Sequence, residues 1–270
     1  YPDAVLINEG GKSFRVHWQS SSNACYSTRG VTAADFDEDG DTDVYTSNYR
    51  LQPNFLYRND GGLDLKEVAE EYGVAGIPDA EITYTGGIKY RICGHSIGSA
   101  FGDLDNDGYL DLFASNGHSR DGMNQDLTVI QFNKVLQEQG RNAANKFLGQ
   151  LPPRHEENLA YRNTGQLRFE DVSASWGLNH NGVSFGAVYA DFDRDGDLDL
   201  VVNNLNELAS IYRNNSTHGH RVLFQCRGTV SNHYGIGAKL TIQTDLGTQV
   251  RLLIPSRGFM SSDEPAVHFG

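Results

Sequence analysis

Apolar residues along this chain come in short runs separated by acidic and glycine-rich turns, a pattern of many brief β-strands. Val44-Tyr45, Leu112-Phe113 and Leu200-Val201-Val202 each follow a polar stretch of nine residues. Small residues precede each stretch: Val31-Thr-Ala-Ala34, Ser99-Ala-Phe-Gly102 and Ala187-Val-Tyr-Ala190. A second pair of runs then recurs. Phe55-Leu-Tyr-Arg-Asn-Asp-Gly-Gly62 leads to Leu65-Lys-Glu-Val68, and Leu159-Ala-Tyr-Arg-Asn-Thr-Gly165 leads to Phe169-Glu-Asp-Val172. Ile211-Tyr-Arg-Asn214 opens a third. Asn-Gly-type turns between apolar strands signal hairpins, so each repeat predicts two hairpins and a four-stranded blade. Gly30, Gly98 and Gly186 lead into the repeats and Asn48, Asn116 and Asn204 close them. Small residues on the leading strand suit a crowded place near the axis of a radial array.

The first aspartates of the repeats, Asp35, Asp103 and Asp191, are 68 and then 88 residues apart. The surplus falls in residues 117–157, where Asp126 to Gly140 predicts a helix and Leu151-Pro-Pro153 a return of the chain. This reads as a surface insertion, and long loops of this kind often carry function. Val5 to Phe14 reads as the second hairpin of a blade whose first hairpin is missing, so about three and a half blades are expected. Completion by further residues, completion by another chain, and an open array are equally compatible with that. From His220 the pattern changes to a separate small β module without acidic loops. In it Leu240, Ile242, Val250, Leu252 and Ile254 are expected to point inward. The expected division is residues 1–217 for the blades and 218–270 for the module.

The nine-residue stretches carry the chemistry. They are Asp35-Phe-Asp-Glu-Asp-Gly-Asp-Thr-Asp43, Asp103-Leu-Asp-Asn-Asp-Gly-Tyr-Leu-Asp111 and Asp191-Phe-Asp-Arg-Asp-Gly-Asp-Leu-Asp199. Carboxylates this dense repel one another once partly desolvated, unless a cation lies among them. Oxygen donors at alternating positions around a turn-forming Gly suit Ca²⁺, so three Ca²⁺ sites are expected. Positions one, three, five and nine would give carboxylates: Asp35, Asp37, Asp39, Asp43; Asp103, Asp105, Asp107, Asp111; Asp191, Asp193, Asp195, Asp199. Position seven (Asp41, Tyr109, Asp197) would give a backbone carbonyl, which accounts for a tyrosine there. An EF-hand needs Glu at position twelve, where Thr46, Ala114 and Val202 stand.

The 22 basic residues against 35 acidic ones leave a net charge of −13, and the three loops hold 14 Asp and Glu38 against the single base Arg194. The acidity is thus mainly ligand supply, and it opposes nucleic-acid binding. No apolar run reaches membrane-spanning length. The chain starts at Tyr1 rather than Met, as after removal of a leader. Of three cysteines, Cys25 and Cys93 are repeat-equivalent and too far apart for a bridge to be expected. Asn214 and Asn215 begin overlapping glycosylation sequons.

With these residues the chain resembles the FG-GAP/VCBS repeat proteins, whose propeller blades carry the Asp-x-Asp-x-Asp-Gly-x-x-Asp loop. The tail, with Ser231-Asn-His-Tyr-Gly-Ile-Gly-Ala238, Gln249-Val250 and Gly258 through His268-Phe-Gly270, resembles the ASPIC/UnbV domain. The pairing is typical of secreted bacterial proteins and of the cartilage acidic protein group. The resemblance implies an all-β propeller fold and calcium, with no shared reaction. Family members continue past the His-Phe-Gly, whereas this chain stops at Gly270, which leads to the expectation of a truncated domain.

The resulting expectation is a secreted or cell-surface calcium-binding structural or adhesion protein. Its partners would be extracellular proteins or polysaccharide, or further copies of itself as an oligomer or filament. The rival class is a propeller-borne hydrolase, lyase or lectin. Gly94-His-Ser-Ile-Gly98 matches the nucleophile-elbow pattern, but a strand and an acidic loop follow it where a helix is required. Thr28 and Ser184 stand at the equivalents of Ser96, so a recurring strand hydroxyl is the simpler reading. His118 and His155 flank the insertion and read as solvated loop histidines.

Overall fold

The computed structural model describes residues 2–20, 26–76, 80–83, 89–121, 130–230, 232–245 and 247–270, with backbone alone for 80–83 and 89–92. Cys25, residues 126–129 of the expected helix and Ser231 lie outside the described residues. The chain is all-β, with several antiparallel sheets.

Strands β1 (Ala4–Asn8) and β2 (Phe14–Gln19) form a hairpin. Next come β3 (Ser27–Ala34), β4 (Asp43–Tyr49), β5 (Phe55–Asn59) and β6 (Leu65–Glu67), an antiparallel meander ending in the one-turn helix α1 (Ala69–Tyr72). The pair β7 (Ala80–Thr83) and β8 (Lys89–Ile92) precedes β9 (Ser96–Gly102) and β10 (Asp111–Asn116). Helices α2 (Phe132–Gln139) and α3 (Arg141–Leu148) fill the insertion, and β11 (Glu156–Glu157), β12 (Leu159–Asn163) and β13 (Phe169–Asp171) follow. Strands β9, β10, β12 and β13 make the second four-stranded blade. Strand β14 (Asn181–Gly182) pairs with β11, and β15 (Ser184–Ala190), β16 (Asp199–Asn204) and β17 (Ser210–Tyr212) form the third sheet.

Two expectations change here. The insertion holds two helices instead of one, because Gly140 at φ +81° breaks the helical path and Ala144 anchors a second segment. The third sheet has three strands among the described residues, because the next strand after Tyr212, Val222–Phe224, pairs with Val267–Phe269 instead of extending it.

The inner strands β3, β9 and β15 lie side by side, which explains the recurring glycines. A Cβ on Gly30 would sit 2.7 Å from the Ile97 carbonyl of the next blade, and one on Gly98 would sit 2.5 Å from the Phe185 carbonyl. The second blade, with a neighbour on each side, is buried on both faces, and alternation along β10 serves two cores. Leu112 and Ala114 enter the first core with Phe36, Tyr45, Phe101 and Tyr161. Phe113 enters the second with Leu104, Tyr189 and Leu200. Each such side chain contributes about 1.5–3 kcal/mol on burial.

The C-terminal stretch contains β18 (Val222–Phe224), β19 (Lys239–Thr244), β20 (Gly247–Leu252), β21 (Ser256–Arg257), β22 (Ser261–Ser262) and β23 (Val267–Phe269). It is laid against the blades. A Cβ on Gly186 would lie 2.5 Å from Ser261 Oγ, so the β21–β22 turn seats against β15 where the pattern of the other repeats puts a neighbouring blade. The aliphatic residues of the β19–β20 hairpin do not share one face. Leu240 pairs with Arg251 and Ile242 with Gln249, whereas Val250 pairs with Thr241 and Leu252 with Lys239. Directly paired residues project to the same side, so register splits them. Leu240 and Ile242 pack against the small core of Leu253, Val267 and Phe269.

Candidate metal centre

The three acidic loops join β3 to β4, β9 to β10 and β15 to β16, and they fold alike. Position four takes positive φ in each (Glu38 +61°, Asn106 +58°, Arg194 +63°), and so does the Gly at position six. The first carboxylate accepts the Gly N–H through Oδ2: Gly40 to Asp35 at 2.9 Å, Gly108 to Asp103 at 3.0 Å, Gly196 to Asp191 at 3.0 Å. The ninth accepts twice. Its Oδ2 takes the N–H of position two, and its Oδ1 takes the N–H of the Asn in the Tyr-Arg-Asn run, as Asp111 does with Leu104 and Asn163, both at 2.9 Å. Asp43 and Asp199 repeat this with Phe36 and Asn59, and with Phe192 and Asn214.

Three carboxylates converge in each loop, each offering an oxygen, with all such atoms within 4.8 Å of one another: Asp35, Asp37 and Asp39; Asp103, Asp105 and Asp111; Asp191, Asp193 and Asp199. The expected ligands Asp43, Asp107 and Asp195 lie in the same loops but outside those trios. Position seven behaves differently. The Asp197 carboxylate accepts from Asn106 Nδ2 at 2.8 Å and pairs with Arg221 at 2.9 Å, so its side chain is engaged away from the trio. The Tyr109 ring is partly exposed.

The donor set fits a hard cation. It consists of oxygen alone, and Asp35 Oδ1, Asp37 Oδ1 and Asp105 Oδ1 are buried with no hydrogen-bond partner. Burial, aided by the charge of Glu38, pushes Asp35 up to about 7. Burial likewise brings Asp103 to about 7 and Asp43 to about 8, with neighbouring aspartates adding to the rise. Asp111 is raised by burial first and by Asp105 second. The third loop differs: Asp195 is lowered, first by the Asp197 N–H and then by Arg213.

Residues 149–202 match the family model of the FG-GAP-like repeat, and residues 228–270 match that of ASPIC and UnbV. The chain thus carries one segment similar to the FG-GAP-like repeat and one similar to ASPIC and UnbV. Relatives include cartilage acidic protein 1 from Mus musculus, 24% identical over 100% of this chain and 44% of its own length. The proteins of the same name from Homo sapiens (24% identical, 90% of this chain, 38% of its own) and Xenopus tropicalis (22%, 90%, 39%) are also similar. The chain spans less than half the length of these relatives.

The blades add arginines that the loop pattern alone does not reveal. Arg162 pairs with Asp105 at 2.7 Å and Asp107 at 3.4 Å, and Arg213 with Asp193 at 2.6 Å and Asp195 at 3.5 Å. Both come from the Tyr-Arg-Asn run, whose recurrence was the available signal. Arg58, the equivalent in the first blade, instead reaches Asp60 at 2.7 Å. The asparagines of the same runs bridge neighbouring loops. Asn163 Nδ2 donates to the Phe36 carbonyl at 3.0 Å and Asn214 Nδ2 to that of Leu104 at 2.7 Å.

Ser96 is buried and committed. It donates to Asn116 Oδ1 at 2.8 Å and accepts from Asn54 Nδ2 at 2.9 Å. Thr28 and Ser184 make the same bond to Asn48 and Asn204, at 2.7 Å and 2.8 Å. The His95 ring beside it turns to Glu156, with Nδ1 2.8 Å from Oε1. His118 lies at the end of β10 remote from the acidic loop. It is half-buried, not a solvated loop residue: its ring stacks on Tyr49 at 4.4 Å and meets His95 edge-on at 4.8 Å. Burial, with His95 adding to it, lowers it to about 4.

Proposed function

We propose that the protein is an extracellular calcium-binding scaffold in which three Ca²⁺ ions close the β3–β4, β9–β10 and β15–β16 hairpins. The observation that carries this reading is one loop geometry repeated three times around converging carboxylates, with buried oxygens lacking a partner in two of the loops. The carboxylates of positions one, three, five and nine would hold each ion, with the carbonyls of Asp41, Tyr109 and Asp197. Calcium would neutralise charge that burial otherwise opposes. The extracellular assignment draws on the relatives, which are named for cartilage. Extracellular calcium, near millimolar, would suffice for sites of modest affinity. Among the described residues no helix is long and apolar enough to cross a membrane. Calorimetric titration with CaCl₂ tests the reading: three bound ions are expected, and no heat at millimolar calcium together with unchanged melting in EDTA removes it.

The partner in this reading is an extracellular protein or polysaccharide, met on the face away from the loops. There Arg29 lies 4.9 Å above the Tyr49 ring that His118 stacks upon, a cationic and aromatic surface. A second reading, assembly of copies, draws on β17, which ends the third sheet with Ile211 73% exposed. Unprotected strand edges recruit further strands. Ultracentrifugation decides it, since a strict monomer with and without EDTA excludes assembly.

A further inference from the structure

The glycine at position six of each loop offers its carbonyl outward, and in all three loops a side chain of the C-terminal segment takes it. Lys239 Nζ donates to Gly40 O at 2.6 Å and Arg251 Nη2 to Gly108 O at 2.8 Å. His268 Nε2 lies 3.0 Å from Gly196 O, and since a carbonyl only accepts, Nε2 is the protonated nitrogen there. The other side of the same peptide faces the carboxylates. The N–H of position seven donates to the position-five Oδ1: Asp41 to Asp39 at 2.8 Å, Tyr109 to Asp107 at 3.0 Å, Asp197 to Asp195 at 3.0 Å. One peptide plane therefore links a donor on the tail to an expected ligand in the loop, three times over.

Further bonds join the same elements. Glu38 accepts the Val250 N–H at 2.7 Å and pairs with Arg251. Arg221 Nη2 donates to the Asp195 carbonyl at 2.7 Å. Arg251 and His268 are nearly enclosed, so their donors cannot turn to water. A peptide with both ends bonded is held in one orientation, most firmly where its donor is enclosed as Arg251 and His268 are, and bonds in series polarise one another. Residues just outside a metal's ligands commonly tune it in this way.

We propose that the C-terminal segment is a single clamp shared by the three cation loops, with Lys239, Arg251 and His268 as positioning residues for the peptide between positions six and seven. Cation binding and docking of the segment are then coupled, and by linkage each strengthens the other by the same factor. This rests on the calcium reading above. It also opposes a simple Coulomb argument, in which Lys239 and Arg251 would repel a divalent ion and weaken its binding. The two effects have opposite signs, so the experiment separates them.

Calcium titration of the full chain is compared with the variants Lys239→Met, Arg251→Met and His268→Phe, and with His268→Gln, which keeps a side-chain donor. Each donor-free variant is expected to weaken about tenfold the site whose glycine carbonyl loses its donor, and His268→Gln to restore most of the loss. Hydrogen exchange of the unaltered protein is followed in parallel. On chelation, amides of β19, β20 and β23 are expected to exchange at least about tenfold faster while those of β10 stay protected. Unchanged or tighter binding in the donor-free variants overturns the clamp and leaves calcium binding standing. So does an exchange response that is absent or equal in β10. If the unaltered protein takes up no calcium, the underlying calcium reading fails instead.

Discussion

Ser47 Oγ donates to the Ile97 carbonyl at 2.7 Å while accepting the Gly30 N–H at 3.0 Å, so one buried hydroxyl joins the inner strands of adjacent blades. Ser115 does the same one blade further on, accepting from Gly98 and donating to the Phe185 carbonyl. Water cannot replace either bond at these buried positions. Ser47→Ala is expected to cost about 2 kcal/mol, because it strands a donor and an acceptor. Adding Ser115→Ala should nearly double the loss, since the two bonds lie at different blade boundaries. Urea unfolding curves measure both, and a loss under about 0.5 kcal/mol would show that the bonds are incidental.

Calcium is expected to raise the melting temperature. A ligand that binds only the folded state at a hundred times its dissociation constant adds about 2.7 kcal/mol per site. Circular dichroism melts in calcium and in EDTA give the shift, and identical curves would contradict the proposed role of the ion.

The pH response of the chelated protein has a definite sign. Asp35, Asp103 and Asp43 have raised folded-state values of about 7, 7 and 8. The folded state therefore holds protons that the unfolded chain has released. Their favourable contribution is fully present below about pH 4 and is lost as pH rises through 7 to 8. In EDTA the protein should melt lower at pH 8 than at pH 5.5. Calcium, by holding the charged carboxylates, should flatten that slope.

The three sites should differ. Arg162 and Arg213 already pair with aspartates of the second and third loops, whereas Arg58 is held by Asp60 outside the first. Less of the first loop's charge is neutralised, so it should bind calcium most tightly. Asp37→Asn should then remove the tightest phase of a calorimetric titration, and Asp193→Asn a weaker one.

Ser96 is expected to resist fluorophosphonate labelling, because its hydroxyl lies 3% exposed between Asn54 and Asn116. Ser96→Ala should instead lower stability by about 1–2 kcal/mol. Labelling at that residue by mass spectrometry would reopen the hydrolase reading.

Much of this was legible from local pattern. The Gly, acidic loop and Asn of each repeat predicted a closed hairpin, and the loops do adopt one geometry. Small residues before each loop predicted a crowded axis, and Gly30 and Gly98 do meet the next blade there. The third sheet's missing strand, the second insertion helix and the division of β19–β20 between two faces were not legible. Register and pairing partner set those, and a run of apolar residues carries neither. The loop arginines were hidden for a related reason: Arg162 is 57 positions from Asp105, and only the pairing of β10 with β12 brings them together.

Alternation and spacing along the chain were enough to determine strands, repeats and three clusters of oxygen donors, because those depend on neighbours within a few residues. Folding alone decided that one C-terminal segment reaches all three clusters. Lys239 lies 199 positions from Gly40 and Arg251 lies 143 from Gly108. Contacts at that separation exist only after the blades have stacked, since stacking is what sets the three glycine carbonyls within reach of one segment.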